Sequence, residues 1–168
     1  SREPSAYLPH TYEKNTVCYT GTHDNMTTRQ WLENAKPEFI QNFGTDPDSD
    51  RIGVVVRNGK GEYTVLNGNQ TGTILCEYIL RNMKEEGMLS SNAKVVKTIV
   101  TTEMVKAISE SYGAEIVDVL TGFKFIGEQI KLLEDKGCPQ NFMFGLEESY
   151  GCLAGTHARD KDAIVAVM

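Results

Sequence analysis

Val95-Val96-Lys97-Thr98-Ile99-Val100 is a β-branched run. Glu103–Tyr112 follows it with Val105 and Ile108 on one helical face, and Ile116-Val117-Asp118-Val119-Leu120 is a second apolar run. Short β-branched runs bounded by turn residues predict strands, and the spacing between them predicts a helix. A strand, a helix and a strand in succession predict a sheet that is at least partly parallel, because parallel neighbours need a crossover of this kind. Outward toward the carboxy terminus, Phe125, Ile126, Ile130 and Leu133 predict a helix over 125–133, and Phe142–Phe144 and Ile164–Met168 read as strands. Outward in the other direction, Thr71–Met83 carries Ile74, Leu75, Tyr78, Ile79 and Met83 at helical spacing, with Gly87 near its end. A buried face is expected there, with Tyr78, Tyr112 and the phenylalanines in the core. Val54–Val56 and Glu62–Leu66, joined by Asn58-Gly59-Lys60-Gly61, predict a hairpin. The fold class is α/β, a layered mixed sheet with flanking helices.

The chain has 168 residues and a formal net charge of −6 with no basic stripe, which excludes nucleic acid and anionic membranes as partners while leaving room for a small anion. Cys18, Cys76, Cys138 and Cys152 are widely spaced without a C-x-x-C pair, so reduced thiols are expected and no disulfide. No apolar run approaches the roughly 20 residues of a membrane span, and the amino terminus has no basic segment running into an apolar one. The expected compartment is the cytoplasm. The sequence does not address the oligomeric state.

Thr45-Asp46-Pro47-Asp48-Ser49-Asp50-Arg51 is the densest chemical signal. Carboxylates at alternate positions repel one another, and a hard divalent cation removes that repulsion. Asp46, Asp48 and Asp50 are therefore candidate Mg²⁺ ligands, and Arg51 offers a planar fork of donors to a phosphate beside the metal. Zinc fits poorly, since no soft ligand lies nearby. An EF-hand would want glycine and glutamate where Arg51 and Arg57 stand. The alternative is a solvated acidic turn before a strand. Glu147 and Ser149, two apart in a glycine-flanked loop, can present a carboxylate and a hydroxyl to adjacent hydroxyls of a sugar ring, or can be exposed groups of a strand-end turn. Lys161 can hold a phosphate or assist proton transfer if its pKa is lowered, or can be a solvated charge. His157 receives no role. His23 and Asp24 follow the short apolar patch Val17-Cys18-Tyr19; their spacing alone favours a surface histidine and a capping aspartate over a catalytic pair.

Four pieces in order resemble one family, the alpha-D-phosphohexomutases, and within it the bacterial phosphoglucomutases. Asp46-Pro47-Asp48-Ser49-Asp50-Arg51 is similar to the family's metal loop and Leu66-Asn67-Gly68-Asn69-Gln70-Thr71-Gly72 to the start of its third domain. Thr121-Gly122-Phe123-Lys124-Phe125-Ile126-Gly127 resembles a loop before a helix there, and Gly145-Leu146-Glu147-Glu148-Ser149-Tyr150-Gly151 the sugar-binding loop. Arg159-Asp160-Lys161-Asp162 follows and resembles the basic segment that family members use near substrate. The resemblance implies Mg²⁺ on the three aspartates, sugar contacts from Glu147 and Ser149, and catalytic or phosphate-binding roles for Arg51 and Lys161. It implies the interconversion of glucose 1-phosphate and glucose 6-phosphate through a bisphosphate, with a hexose phosphate as partner. It divides the chain into 44–66, the metal-loop end of a second domain, and 67–168, most of a third.

Residues 1–43 differ in texture. Leu8-Pro9-His10-Thr11-Tyr12 and Val17–Asn25 resemble a segment of the 4-alpha-glucanotransferases, in which Asp24 would stabilise the transition state and His23 would contact sugar. This segment is not expected to form a domain of its own. No T-A-S-H-N-P-like phosphoserine loop is present and the family's carboxy-terminal phosphate-binding domain is not reached, so the expectation is an incomplete, inactive piece of a phosphohexomutase. The alternatives are a glucanotransferase piece and a non-catalytic sugar-phosphate-binding module.

Overall fold

The computed structural model describes residues 44–45, 50–57, 60 and 62–166. Asp46, Asp48, His23 and Asp24, and with them the whole glucanotransferase-like segment, lie outside the described residues.

A three-stranded antiparallel sheet comes first, formed by β1 (Gly44–Thr45), β2 (Ile52–Arg57) and β3 (Tyr63–Leu66). Val54 stands opposite Leu66 and Arg57 opposite Tyr63, which is the expected hairpin. Its first residues meet the Tyr150–Gly151 segment. The Ile52 amide donates to the Tyr150 carbonyl at 3.4 Å, Arg51 bridges Gly151, and the Ile52 side chain is buried.

Asn67 then caps α1 (Gly68–Glu85): its side chain accepts from the Gln70 amide while the Gln70 side chain accepts from the Asn67 amide. This reciprocal box satisfies donors that a helix start otherwise leaves open. The buried face runs through Gly68, Thr71, Gly72, Cys76 and Leu80. Ile74 and Tyr78, expected in that face, are exposed. Each lies two positions before a buried member of the row Cys76 and Leu80, and two residues turn a helix by about 200°.

The second sheet has the order β5-β4-β6-β7, from β4 (Lys94–Thr98), β5 (Glu115–Val119), β6 (Phe142–Leu146) and β7 (Cys152–Ala154). β4 is parallel to both β5 and β6, and β7 closes the edge antiparallel to β6. The helices α2 (Met104–Ser111) and α3 (Phe123–Asp135) make the two crossovers. Successive strand residues point to opposite faces. Val95, Phe144 and Leu146 pack with Cys76 and Leu80 of α1 and Val105 of α2, while Val96, Phe142 and Leu153 pack with Phe123, Ile126, Ile130 and Leu133 of α3. Phe142 and Phe144 fall on opposite faces although they are two apart, because the β4–β6 register shifts between Lys94 and Val95. The result is a sheet between two helical layers. Each fully buried aliphatic chain in these layers contributes about 1.5–3 kcal/mol.

Two local expectations are corrected. The strand expected at Ile164–Met168 is a turn over residues 163–166, because the Asp162 carboxylate accepts the Ile164 and Val165 amides and pulls the chain round; residues 167–168 lie outside the described residues. The run Val95–Val100 leaves the sheet at Thr98, and Ile99 and Val100 are exposed in the turn that follows.

Among the described residues no helix is long and apolar enough to cross a membrane, and Cys76, Cys138 and Cys152 are free thiols. Burial pushes the Cys76 and Cys152 thiols up to about 11 and about 12, so both stay protonated and inert.

Candidate functional site

From β4 the chain passes to β5 on one side and then returns to β6 on the other, so the carboxyl ends of β4 and β6 lie side by side where the strand order reverses. Open α/β sheets bind ligands at such a point. β6 ends at Leu146, paired with Lys97, and the next residues are Glu147, Glu148 and Ser149.

Glu147 is almost fully buried, at 9% exposure. One carboxylate oxygen accepts the Gly122 amide at 3.1 Å and the other accepts the Ser149 hydroxyl at 3.3 Å. The Glu147 amide donates to the Gly151 carbonyl at 2.8 Å, closing the loop on itself. The structure thus brings Glu147 and Ser149 together, with Ser149 exposed. Their partner Gly122 comes from the segment before α3, singled out in the sequence as a loop.

Lys161 reaches the same loop. A Cβ on Gly151 would stand 2.2 Å from Lys161 Cδ and 3.2 Å from Glu147 Oε2, so the lysine stem and the glutamate converge on a residue that must lack a side chain. The ammonium lies 3.1 Å from Asp50 and 2.8 Å from Asp160, and 5.4 Å from the centre of the Phe123 ring. Burial pulls the Lys161 pKa down, but the hydrogen bonds to Asp160 and Asp50 outweigh it and leave the group above its ordinary value. In this arrangement Lys161 is an ammonium cation. Arg51 is half-exposed, with Nε 3.3 Å from Asp50. Asp50, Arg51, Glu147, Ser149 and Lys161 therefore share one neighbourhood, although they come from the two ends of the described chain.

The basic segment 159–162 does not act as a unit. Arg159 pairs with Glu134 of α3 and packs its carbonyl on Gly127, where a Cβ would be 2.5 Å away. His157 pairs with Asp162 at 2.9 Å. Among the described residues no group of three or more His, Cys, Asp and Glu side chains is placed to hold a metal ion. Asp50 is the described member of the expected trio and is a hard oxygen donor drawn toward two cations. In charge and donor type it fits a divalent metal.

Several residues at this site carried no signal in the sequence. Thr98 and Thr101 are buried and reach the Glu148 carboxylate, and Lys97 is fully buried among Glu103, Asp118 and the Thr101 carbonyl. In the sequence Thr98 reads only as a β-former. Its acceptor, Glu148, is brought alongside by the pairing of β4 with β6.

Comparison with known proteins supplies the wider frame. The family described as phosphoglucomutase/phosphomannomutase, alpha/beta/alpha domain III, matches residues 67–168. A phosphoglucomutase of Staphylococcus epidermidis is 42% identical over 125 residues, covering 74% of this chain and 22% of its own length. That of Staphylococcus aureus is 39% identical over the same length and covered to 21%, so the chain spans about a fifth of the curated relatives it matches. Among solved structures, a Thermus thermophilus protein assigned as a phosphomannomutase aligns with a TM-score of 0.58 at 29% identity, over 77% of this chain and 26% of its own. The N-acetylphosphoglucosamine mutase of Aspergillus fumigatus, solved with GlcNAc-6P and magnesium, aligns at 0.51 and 17% identity, over 74% and 25%, and so shares the fold. With more than half of its residues matched by that domain and its mixed sheet between two helical layers, the chain belongs to the phosphoglucomutase/phosphomannomutase family.

Proposed function

We propose that this chain provides the sugar-binding part, and the end of the metal loop, of a phosphoglucomutase-type transfer that converts glucose 1-phosphate to glucose 6-phosphate through a bisphosphate. The observation that carries the reading is the convergence of Glu147 and Lys161 on Gly151 while Lys161 pairs with Asp50, which joins the sugar loop to the metal loop. Glu147 and Ser149 would take adjacent ring hydroxyls, the carboxylate accepting and the hydroxyl doing either. Arg51 and Lys161 would hold a phosphate by its charge, Arg51 with two parallel donors and Lys161 as a point cation. Asp46, Asp48 and Asp50 would hold Mg²⁺, which when bound neutralises charge on the transferred group. The Aspergillus enzyme crystallised with a hexosamine phosphate and magnesium supports both partners.

The reaction also needs a phosphorylated side chain as donor. This sequence carries no stretch of the expected kind, so these 168 residues alone would bind hexose phosphate without turning it over. The free thiols among the described residues suit a reducing compartment, in keeping with a cytoplasmic placement.

Titration of the chain with glucose 1-phosphate, followed by amide chemical shifts, tests the reading. The expected result is saturable movement at Gly122, Glu147, Ser149 and Lys161 that Glu147→Gln weakens. Saturable binding of maltotriose centred on His23 and Asp24, with the sugar loop unmoved, overturns it in favour of glycosyl transfer.

A further inference from the structure

Glu148 follows Glu147 at the exit of β6 and points the other way. Its Oε2 accepts the Thr98 hydroxyl at 3.0 Å and the Thr101 hydroxyl at 3.3 Å, and the two hydroxyl oxygens are 2.8 Å apart. Two hydroxyl protons serve these three contacts, so one is shared. Both threonines are buried. The Thr101 amide donates to the Thr98 carbonyl at 3.0 Å, and the Thr101 carbonyl accepts from Lys97, whose ammonium is held by Glu103 at 2.9 Å and Asp118 at 2.8 Å. The turn after β4 is thus fixed from below before Glu148 reaches it.

The backbone of the same residue is fixed from another side. A Cβ on Gly68 would lie 1.9 Å from the Glu148 carbonyl oxygen and 2.8 Å from the Tyr150 nitrogen, so the start of α1 sits directly on this loop. Asn69 of that first turn accepts the Thr102 amide at 3.0 Å, closing a three-way junction of α1, the turn after β4, and the sugar loop. Tyr150 has a φ of 72°, a left-handed conformation that a residue with a side chain keeps where its surroundings impose it. By contrast, the carboxylate of Glu147 is held by Gly122 and by Ser149 of its own loop.

We propose that Glu148 is a positioning residue: by fastening the loop to Thr98 and Thr101 it sets where Glu147 and Ser149 meet a sugar ring. The inference rests on the hexose phosphate reading of the site. Supporting groups of this kind typically change affinity or activity by about 10–100-fold when removed.

The test compares the full chain with Glu148→Ala, Glu148→Gln and the double variant Thr98→Val/Thr101→Val, titrating glucose 1-phosphate and following the Gly122 amide. Glutamine keeps an oxygen that accepts from both hydroxyls, so its affinity is expected within about threefold of the parent, whereas alanine loses about tenfold and shifts Gly122 in the free protein. The valine pair removes the same tether from the opposite end, nearly isosterically. It is expected to reproduce the alanine effect, and it carries the comparison if Glu148→Ala does not fold. A parent that binds while the alanine and valine variants bind equally well overturns the positioning role and leaves the sugar-phosphate reading standing. Glutamine behaving like alanine also overturns it, since geometry would then not be the cause. A parent that binds no glucose 1-phosphate overturns the underlying reading and this inference with it.

Discussion

At the scale of single residues the most consequential feature is a lysine with no solvent exposure in the middle of a strand. Burial pulls the Lys97 pKa down, but hydrogen bonds and charge from Asp118 and Glu103 more than restore it, so the group stays an ammonium. Its partners are about half and two-thirds exposed, and water can solvate them if the lysine is gone. Lys97→Met keeps the stem's volume and orphans the Thr101 carbonyl, for an expected loss of about 1–2 kcal/mol in urea unfolding. Glu103→Ala/Asp118→Ala strands the cation inside the fold and is expected to cost about 3–5 kcal/mol. Equal losses would mean that the ion pairs are incidental to stability. A second residue reports in acid. Burial raises the Asp162 pKa, but hydrogen bonds from His157 and from the Ile164 and Val165 amides overcome this and lower it. A carboxyl whose folded pKa is depressed stabilises the fold above its unfolded value and loses that contribution as pH falls through the folded one. The stability of the parent should therefore fall below about pH 4, and Asp162→Asn should flatten that limb by lowering stability at neutral pH while staying close to the parent in acid. An unchanged acid limb would remove the Asp162 turn as a pH-linked element.

At the scale of elements, the start of α1 does two separable jobs. The Asn67 box satisfies helix donors, whereas Gly68 lets the helix end press on the Glu148–Tyr150 backbone. Asn67→Ala is expected to cost about 1 kcal/mol with the sugar-loop amides unmoved. Gly68→Ala puts a methyl against a carbonyl rather than a flexible side chain, and is expected to cost about 1–3 kcal/mol and to shift Glu148–Tyr150. If both variants shift the loop equally, capping and docking are one effect. The same elements show what could be read in advance. β4 and β5 are legible as short β-branched runs bounded by turn residues, and α2 and α3 by their apolar spacing of 3.6. β7 is not legible, since Cys152-Leu153-Ala154 is too short to show alternation and is a strand only because β6 offers an edge. Ile74 and Tyr78 are apolar without being buried; Gly72 and Thr71 hold the face toward the sheet, where Leu146 leaves room for little else.

At the scale of the whole molecule, the site joins residues a hundred positions apart, and motif order disclosed the participants but not their contacts. Glu147, Ser149, Lys161 and Arg51 stood out because their neighbours match known loops. That Lys161 turns to Asp50 while Arg159 turns to Glu134 depends on how the last loop crosses α3, which no local pattern encodes. This crossing bears on the proposed Mg²⁺ site. Asp50 already shares its carboxylate with Lys161 and Arg51, so a divalent ion there must compete with two cations for one ligand while keeping much of its own hydration. Affinity near millimolar, about −4 kcal/mol, is expected. Mn²⁺ should broaden amides at Asp50 and Arg51 first, and Asp50→Asn should weaken the effect. Lys161→Met should strengthen it about threefold or more, because removing a unit charge about 3 Å from the ligand relieves the competition even with solvent screening. Broadening centred on Glu147 and Glu148 instead, or a Lys161→Met chain that binds Mn²⁺ no better than the parent, would separate the metal from the Asp50–Lys161 contact and leave that ion pair as a structural clasp between the hairpin and the sugar loop.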